Sequence, residues 1–514
     1  MSESLTSHFQ NFILISFVCL MTIVFIVKII FLFSLLSVSL ATIGSLLVFV
    51  VLVFGIVHRK RVHLLGGKIF EKIEIHKNYK RVILCIFSLS IVLKLAIVYA
   101  FQINSLIHPD ISVYAVSALE LCSKGYVEEF GSYCMDFPHM FWFSIFLTPI
   151  VRFFGIDNIA LSVYLTVIST CSSFLICDVV ARRYSKKHAV FFSVIVLFLP
   201  SQLLAPGYII HEHALTFYLS LSAWLIFGLC PFEKIKWKKN VYLLLGLLSL
   251  AFSVQVNKAA YIGVIAYLIL FLIEKDSLRI SQRIIRIALL LLVVTLVAQS
   301  CSIYQSKHTE LKESYISGDS VLWTLYVGGN SETKGQWNET DMIEFNKYNE
   351  LMQEDRIHEI RKDMVINRYM HLADNPATLF ELLFDKMTTI WSCLTYPISY
   401  SNETISKAET REFYNKYLFK GLVCIEYGFS IMFLAIFFSN LSLSKSRICD
   451  DFCRFSMLFT LGCTFLFLIT ECNNKYTYSI QLFFIMSSLF ENDGASVPPR
   501  RLVLSHLRRS ILCH

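Results

Sequence analysis

Hydrophobic residues in this sequence run in long blocks, broken by connections that carry most of the charge. A helix that crosses a bilayer needs roughly 20 mostly apolar residues. Blocks of that kind lie near 12–34, 36–57, 82–101, 158–181, 188–206, 210–230, 240–256, 259–273, 285–301, 416–438, 455–470 and 476–490. They predict an all-α, polytopic integral membrane protein of about twelve transmembrane helices. One more apolar stretch, 140–154, reads as a helix lying at the outer interface.

The charges decide that last assignment and the topology with it. Cytoplasmic connections hold the Lys and Arg. The basic clusters are 58–81, 182–187 (Arg182, Arg183, Lys186, Lys187), 234–239, 275–286 and 445–454, with Arg500, Arg501, Arg508 and Arg509 in the tail. With the spans above, every cluster falls on one side and both termini are cytoplasmic. Counting 140–154 as a span would put 182–187 on the wrong face. The short outer connections hold little positive charge apart from Lys124, Lys258 and Lys475.

Two outer segments are large, 102–157 and 302–415. The predicted organisation is therefore two extra transmembrane helices in 1–57, a transmembrane core with the first outer loop in 58–301, an extracytoplasmic helical loop in 302–415, and C-terminal transmembrane helices with a basic tail in 416–514. Within the second loop, Asp341 to Arg368 is charged and helix-like, and Leu379 to Thr395 is an apolar piece that turns back towards the membrane.

Composition agrees with lipid as the main solvent. Of 514 residues, 55% are hydrophobic and 16% charged, more apolar surface than a soluble domain hides. The net charge of +8 comes from the topology-setting clusters and implies no nucleic-acid partner. The 15 cysteines include no C-x-x-C pair and no zinc spacing. Cys122 and Cys134 share the first outer loop, either as a disulfide or as two free thiols. Met1 to Asn11 lacks Lys and Arg, and no cleavage site follows, so 12–34 reads as a retained span. Lys28 and Lys94 fall inside spans, where snorkelling or a shifted boundary accounts for them.

Candidate chemistry gathers at the outer ends of the spans. Asp110 follows His108 and Pro109 just beyond span 82–101, and shares a helix face with Tyr114 and Ala118. An N-cap is the competing reading of Asp110. His211, Glu212 and His213 sit at the mouth of span 210–230, placed to bind acceptor hydroxyls, to share a proton, or to join a metal site with Asp110. His139 follows Pro138, with headgroup contact as its alternative. Lys258 and Lys475 stand alone in otherwise uncharged outer turns, with snorkelling as theirs.

The order of these residues resembles a family. Asp110, Tyr114, Leu119, Gly125, Tyr133, Pro138-His139, Phe154-Gly155 and then Arg182-Arg183 is similar to the opening of the GT-C glycosyltransferases, which include the protein O-mannosyltransferases (family 39) and the bacterial lipid A aminoarabinose transferase. Pro206 to Leu215, Asn257-Lys258, Gly328-Gly329-Asn330 through Asp341, and Glu471 to Tyr476 resemble later parts; Ala259 stands where the family usually has Pro. The resemblance covers roughly 82–490 and implies the GT-C fold in a bacterial cell membrane, with the active site outside. It implies transfer of a sugar from a polyprenyl-phosphate donor to an extracytoplasmic acceptor, whether a cell-wall polymer, a lipid-linked glycan or a protein. Asp110 would be the catalytic base, Lys258 and Lys475 would hold the donor phosphate, and Tyr114, His139, Glu212 and His213 would bind substrate. No cofactor is certain, and a divalent metal stays open. A flippase of lipid-linked glycans, or a polysaccharide ligase or polymerase, is the alternative function.

Overall fold

The computed structural model describes residues 3–35, 75–104, 106, 109–273, 280–311, 319–347, 354–391, 396–443 and 450–488. The predicted span 36–57, most of the basic cluster 58–81 and the basic tail lie outside the described residues. What is described is all-helical, with two isolated β-bridges and no strand.

Helices α1 (Glu3–Leu35) and α2 (Ile75–Phe101) precede the first long connection, which holds α3 (Pro109–Ser123), α4 (Gly131–Asp136) and α5 (Pro138–Phe154). Then come α6 (Asn158–Arg183), α7 (Lys186–Phe198), the short α8 (Pro200–Leu204), α9 (Glu212–Ala223, continued by a π-helical Trp224–Leu229), α10 (Lys236–Val256), α11 (Tyr261–Ile273) and α12 (Ile280–Lys307). The second long connection holds α13 (Ser320–Gly328), α14 (Glu339–Asn346), α15 (Glu354–Asp374), α16 (Pro376–Trp391), α17 (Tyr396–Thr404) and α18 (Ala408–Phe413). Helices α19 (Phe419–Leu443), α20 (Asp451–Ile469) and α21 (Thr477–Ser488) complete the described chain.

Among the described residues, seven helices are long and apolar enough to cross a membrane: Asn78–Phe101, Asn158–Arg183, Glu212–Phe232, Lys236–Val256, Ile280–Lys307, Ala408–Leu434 and Asp451–Ile469. The pair Lys186–Phe198 and Pro200–Gly207, bent by 65°, makes an eighth if it is one span. The sequence led to about twelve. The apolar helices at Phe12–Lys28 and Lys258–Ile273 are shorter, and α21 has 12 described residues. A helix of that last length rises about 18 Å, against a hydrocarbon core of about 30 Å.

Local chemistry accounts for the ends and breaks. Asp157, Ser185 and Asp450 cap α6, α7 and α20 by accepting the N–H of Ala160, His188 and Cys453. Pro200 has no N–H to donate, and the chain turns there. The N–H and hydroxyl of Ser201 donate to the buried carboxylate of Glu426 on α19, which also accepts from Gln481. Helix α9 packs between α6, α10 and α21. The buried face of α6 is rich in hydroxyls (Ser162, Thr166, Ser169, Thr170, Ser173), small enough for close helix approach.

Both in-span lysines are buried, and neither snorkels. The Lys94 ammonium donates to Ser169 Oγ at 2.6 Å and reaches Thr170 Oγ1 at 3.4 Å. Lys28 lies over the Tyr427 ring, 5.9 Å from its centre. Cys122 and Cys134 are free thiols: Cys122 donates to Thr148 O, and Cys134 Sγ lies 3.8 Å from Ser117 Oγ.

The two long connections, 102–157 and 302–415, are stitched to the turns that follow the spans. Val127 exchanges backbone hydrogen bonds with His308 and Glu310, fixing the first segment to the end of α12. The second segment grips the turn after α20. Glu471 N–H donates to Thr324 O, Cys472 N–H to Gly335 O, and the fully buried Lys386 donates to Leu468 O at 2.9 Å and Thr470 O at 2.8 Å. Those carbonyls are among the last of α20, left without helical partners, and a cation there also meets the negative helix end. Burial pushes the Lys386 ammonium down to about 8, opposed by Cys472 and Glu471. Glycine is required beside this clamp: a Cβ on Gly328 would lie 2.4 Å from the Thr470 carbonyl carbon, and Gly335 has φ +72 with Lys386 against it.

Gly328→Ala is therefore expected to destabilise the protein by about 1–3 kcal/mol, the usual range for overpacking. Gly421→Ala, in α19 with nothing within 4 Å of the added carbon, should be neutral or stabilising. Thermal unfolding in detergent compares the two; equal losses would mean that the close approach at Gly328 is not what holds the segment.

Candidate functional site

Residues from five separate stretches meet beside the N-terminus of α9. Pro109 occupies the first position of α3, so Asp110 is the second helical residue and not the cap. Its side chain lies outside the described residues. One turn on, Tyr114 is buried, and its hydroxyl lies 2.9 Å from His211 Nδ1. The ring of His139, the second residue of α5, lies 4.6 Å from that of His211. On the far side of His211, Asn257 Nδ2 lies 3.0 Å from its Nε2. The Glu212 carboxyl is fully buried, with Oε1 3.4 Å from the same Nε2. Neither Glu212 oxygen has a hydrogen-bond partner among the described residues. A buried carboxyl left without partners carries a large desolvation cost, which a substrate hydroxyl or water would relieve.

The two candidate lysines bear on this cluster. Burial lowers the His139 pKa to about 3, with smaller contributions from the charges of Lys475 and Lys258. Burial also holds His211 well below the usual histidine value, followed by His139 and Lys475. Both imidazoles are therefore neutral at physiological pH. Lys258 is exposed at the rim, where its ammonium donates to Ser320 Oγ at 2.9 Å, linking the α10–α11 turn to α13. Lys475 follows Asn473, whose side chain caps the turn by accepting the Lys475 N–H.

His213 points elsewhere. Its Nε2 lies 3.0 Å from Ala205 O and 3.2 Å from Tyr208 O, and its Nδ1 lies 3.3 Å from the Tyr478 hydroxyl. With both nitrogens engaged, it ties the 205–210 turn to α21. The stretch Gly328 to Asp341 is likewise a closed knot. Asp341 accepts from Asn330, Asn338 and Arg368, and Arg368 lies over the Tyr326 ring.

No family model matches the chain, and no curated protein matches it. Its function has to be read from the site. Among the described residues, no three His, Cys, Asp or Glu side chains are grouped to hold a metal ion. What is present is a compact cluster of neutral imidazoles, a phenol, an amide and an unpartnered carboxyl, with two ammonium groups acting on it. Such a set suits a neutral, hydroxyl-rich ligand beside an anion. Two contributors had no role assigned from the sequence. Asn257 entered only beside Lys258 in the family resemblance, and Lys386 sits within an apolar run.

The His139 shift makes a pH prediction. Its folded value of about 3 lies below the ordinary 6.5, so between those values the unfolded chain binds more protons and stability falls as pH drops. From pH 7 to 5 this one residue should cost about 2 kcal/mol. The fall in melting temperature from pH 7 to pH 5 should therefore be smaller in His139→Gln than in wild type. An equal acid response would show that His139 is not buried as a neutral base.

Proposed function

We propose that this chain is a membrane glycosyltransferase of the GT-C kind, moving a sugar from a polyprenyl-phosphate donor to an acceptor on the outer face of a cell membrane, with both termini cytoplasmic. The observation that carries the reading is the meeting of Tyr114, His139, His211 and Glu212, under the charges of Lys475 and Lys258, from stretches far apart in the chain. The donor's phosphate needs positive charge and its sugar needs hydrogen-bonding groups without charge of their own. Both kinds of group are adjacent here.

In this reading the acceptor hydroxyl attacks the anomeric carbon as the bond from that carbon to the phosphate oxygen breaks. Asp110, whose backbone opens α3 one turn before Tyr114, takes the hydroxyl proton. The electron pair leaves with the lipid phosphate, and Lys475 and Lys258 stabilise the departing anion. Glu212, with both oxygens unpartnered, accepts hydrogen bonds from sugar or acceptor hydroxyls.

A flippase for the same kind of lipid-linked sugar is the second reading. The bend at Pro200 and the buried Lys28, Lys94 and Glu426 are features that transporters use. The Glu426 carboxylate is, however, saturated by Ser201 and Gln481, whereas Glu212 is not.

Purified protein in detergent, given a panel of radiolabelled undecaprenyl-phosphate sugars and a cell-envelope acceptor fraction, should transfer label. Asp110→Asn should lower the rate by roughly 100-fold or more, the range for loss of a general base. Lys475→Ala should raise the donor KM. Transfer unaffected by Asp110→Asn would move the base to Glu212. Vesicle flipping of the donor without transfer would favour the second reading.

A further inference from the structure

Lys94 lies within the span Asn78–Phe101 and is completely buried, and among the described residues no carboxylate pairs with it. An ammonium in that position is costly, and an apolar side chain of similar length would not be. What it touches is a pair of hydroxyls on α6, Ser169 Oγ at 2.6 Å and Thr170 Oγ1 at 3.4 Å.

The direction of the bonds beyond Ser169 is set from the opposite end, at His213. Backbone carbonyls only accept, so His213 Nε2, 3.0 Å from Ala205 O and 3.2 Å from Tyr208 O, carries a proton. A second proton on this fully buried ring would add another cation with no carboxylate bonded to it. Nδ1 is therefore bare, and the Tyr478 hydroxyl, 3.3 Å away, donates to it. The Tyr478 oxygen is left to accept from Ser169, its other hydroxyl neighbour, whose own oxygen accepts from Lys94. Four buried side chains, on α2, α6, α21 and α9, thus form one line of hydrogen bonds from Lys94 through Ser169 and Tyr478 to His213.

The far end of that line is next to the candidate site. The Nε2–H of His213 closes the 205–210 turn onto the start of α9, and the two residues between are His211 and Glu212. The same turn delivers His211 to Tyr114 and Asn257, and Glu212 to its buried position.

We propose that Lys94 is a positioning residue: through Ser169 and Tyr478 it holds His213 as the Nε2–H tautomer, and so keeps the turn that carries His211 and Glu212 in register for the substrate. The part concerning substrate rests on the glycosyltransferase reading. The line of hydrogen bonds does not.

Lys94→Met tests it, because the side chain keeps its bulk and loses its donors. In protein labelled with nitrogen-15 histidine, the His213 signals are identified by their loss in His213→Gln. Wild type should show a protonated Nε2 and a bare, hydrogen-bonded Nδ1. Tyr478→Phe should move the Nδ1 signal towards that of a free acceptor with Nε2 still protonated, and Lys94→Met should move it the same way by less. In transfer assays Lys94→Met should lose roughly 10- to 100-fold in kcat with a near-normal donor KM, while its melting temperature stays at or above that of wild type. A lysine that only held helices together would give a lowered melting temperature with kcat kept. Should Lys94→Met not fold, Ser169→Ala, which cuts the line and leaves Lys94 its contact with Thr170, carries the same two readouts. A protonated Nδ1 in wild type would overturn the proposal, as would His213 signals or a kcat that the substitution leaves unchanged. The expected His213 signals together with no sugar transfer from any donor would sink the enzymatic reading alone.

Discussion

The ammonium of Lys386 is a central link in the clamp that holds residues 319–391 against the end of α20. It donates to two carbonyls at the end of α20, in a space so close that Gly328 and Gly335 alone allow the backbones to meet. A buried cation with no carboxylate partner would be unfavourable in most settings. Here the helix supplies partners that it cannot satisfy itself, and the negative end of its dipole besides. The turn so held runs directly into Lys475, one of the two lysines whose charge reaches His139. The clamp that holds this turn, Lys386 together with the backbone bonds of Glu471 and Cys472, therefore bears on the site as well as on the fold.

The site follows a similar economy. Burial disfavours charge on the His139 and His211 rings, and the lysines that act on them stand at the edge or in the adjoining turn. Neutral imidazoles in a buried pocket avoid the desolvation penalty that charged ones would meet. They remain able to donate and accept. The exception is Glu212, whose oxygens go unmatched within the described protein. Native structures leave few such groups, and those that persist mark places where something else binds or where water enters. The contrast with Glu426, a carboxyl just as deeply placed but fully hydrogen-bonded, separates a group that holds helices together from one that awaits a partner.

The helical class, the membrane solvent and most helix positions were legible in the sequence because they depend on local hydrophobicity alone. Span 158–181 and α6, or 455–470 and α20, differ by a few residues at the ends. The number of crossings was less legible. Whether a short apolar helix such as Tyr261–Ile273 crosses depends on its neighbours, and a proline bend such as Pro200 leaves hydropathy unchanged while it redirects the chain. The two in-span lysines carried a signal, but Lys94 is buried against hydroxyls of a neighbouring helix, where the sequence offered snorkelling or a shifted boundary.

By itself the sequence determined what kind of residue stands at each outer turn: Asp110 and Tyr114 one helical turn apart, the His211-Glu212-His213 run, and the isolated Lys258 and Lys475. Spacing within one helix is covalent geometry, and so it can be read in advance. Tertiary structure alone decided which of these share a site. Neighbouring positions on a helix face different ways, so His211 turns to Tyr114 and Asn257 while His213, two residues later, closes on Tyr478 and the 205–210 turn. Asn257, which caps the turn at Lys258 by accepting the Ala259 N–H, reaches His211 from between two other helices. No pattern along the chain encodes that, because it arises only where three helices end together.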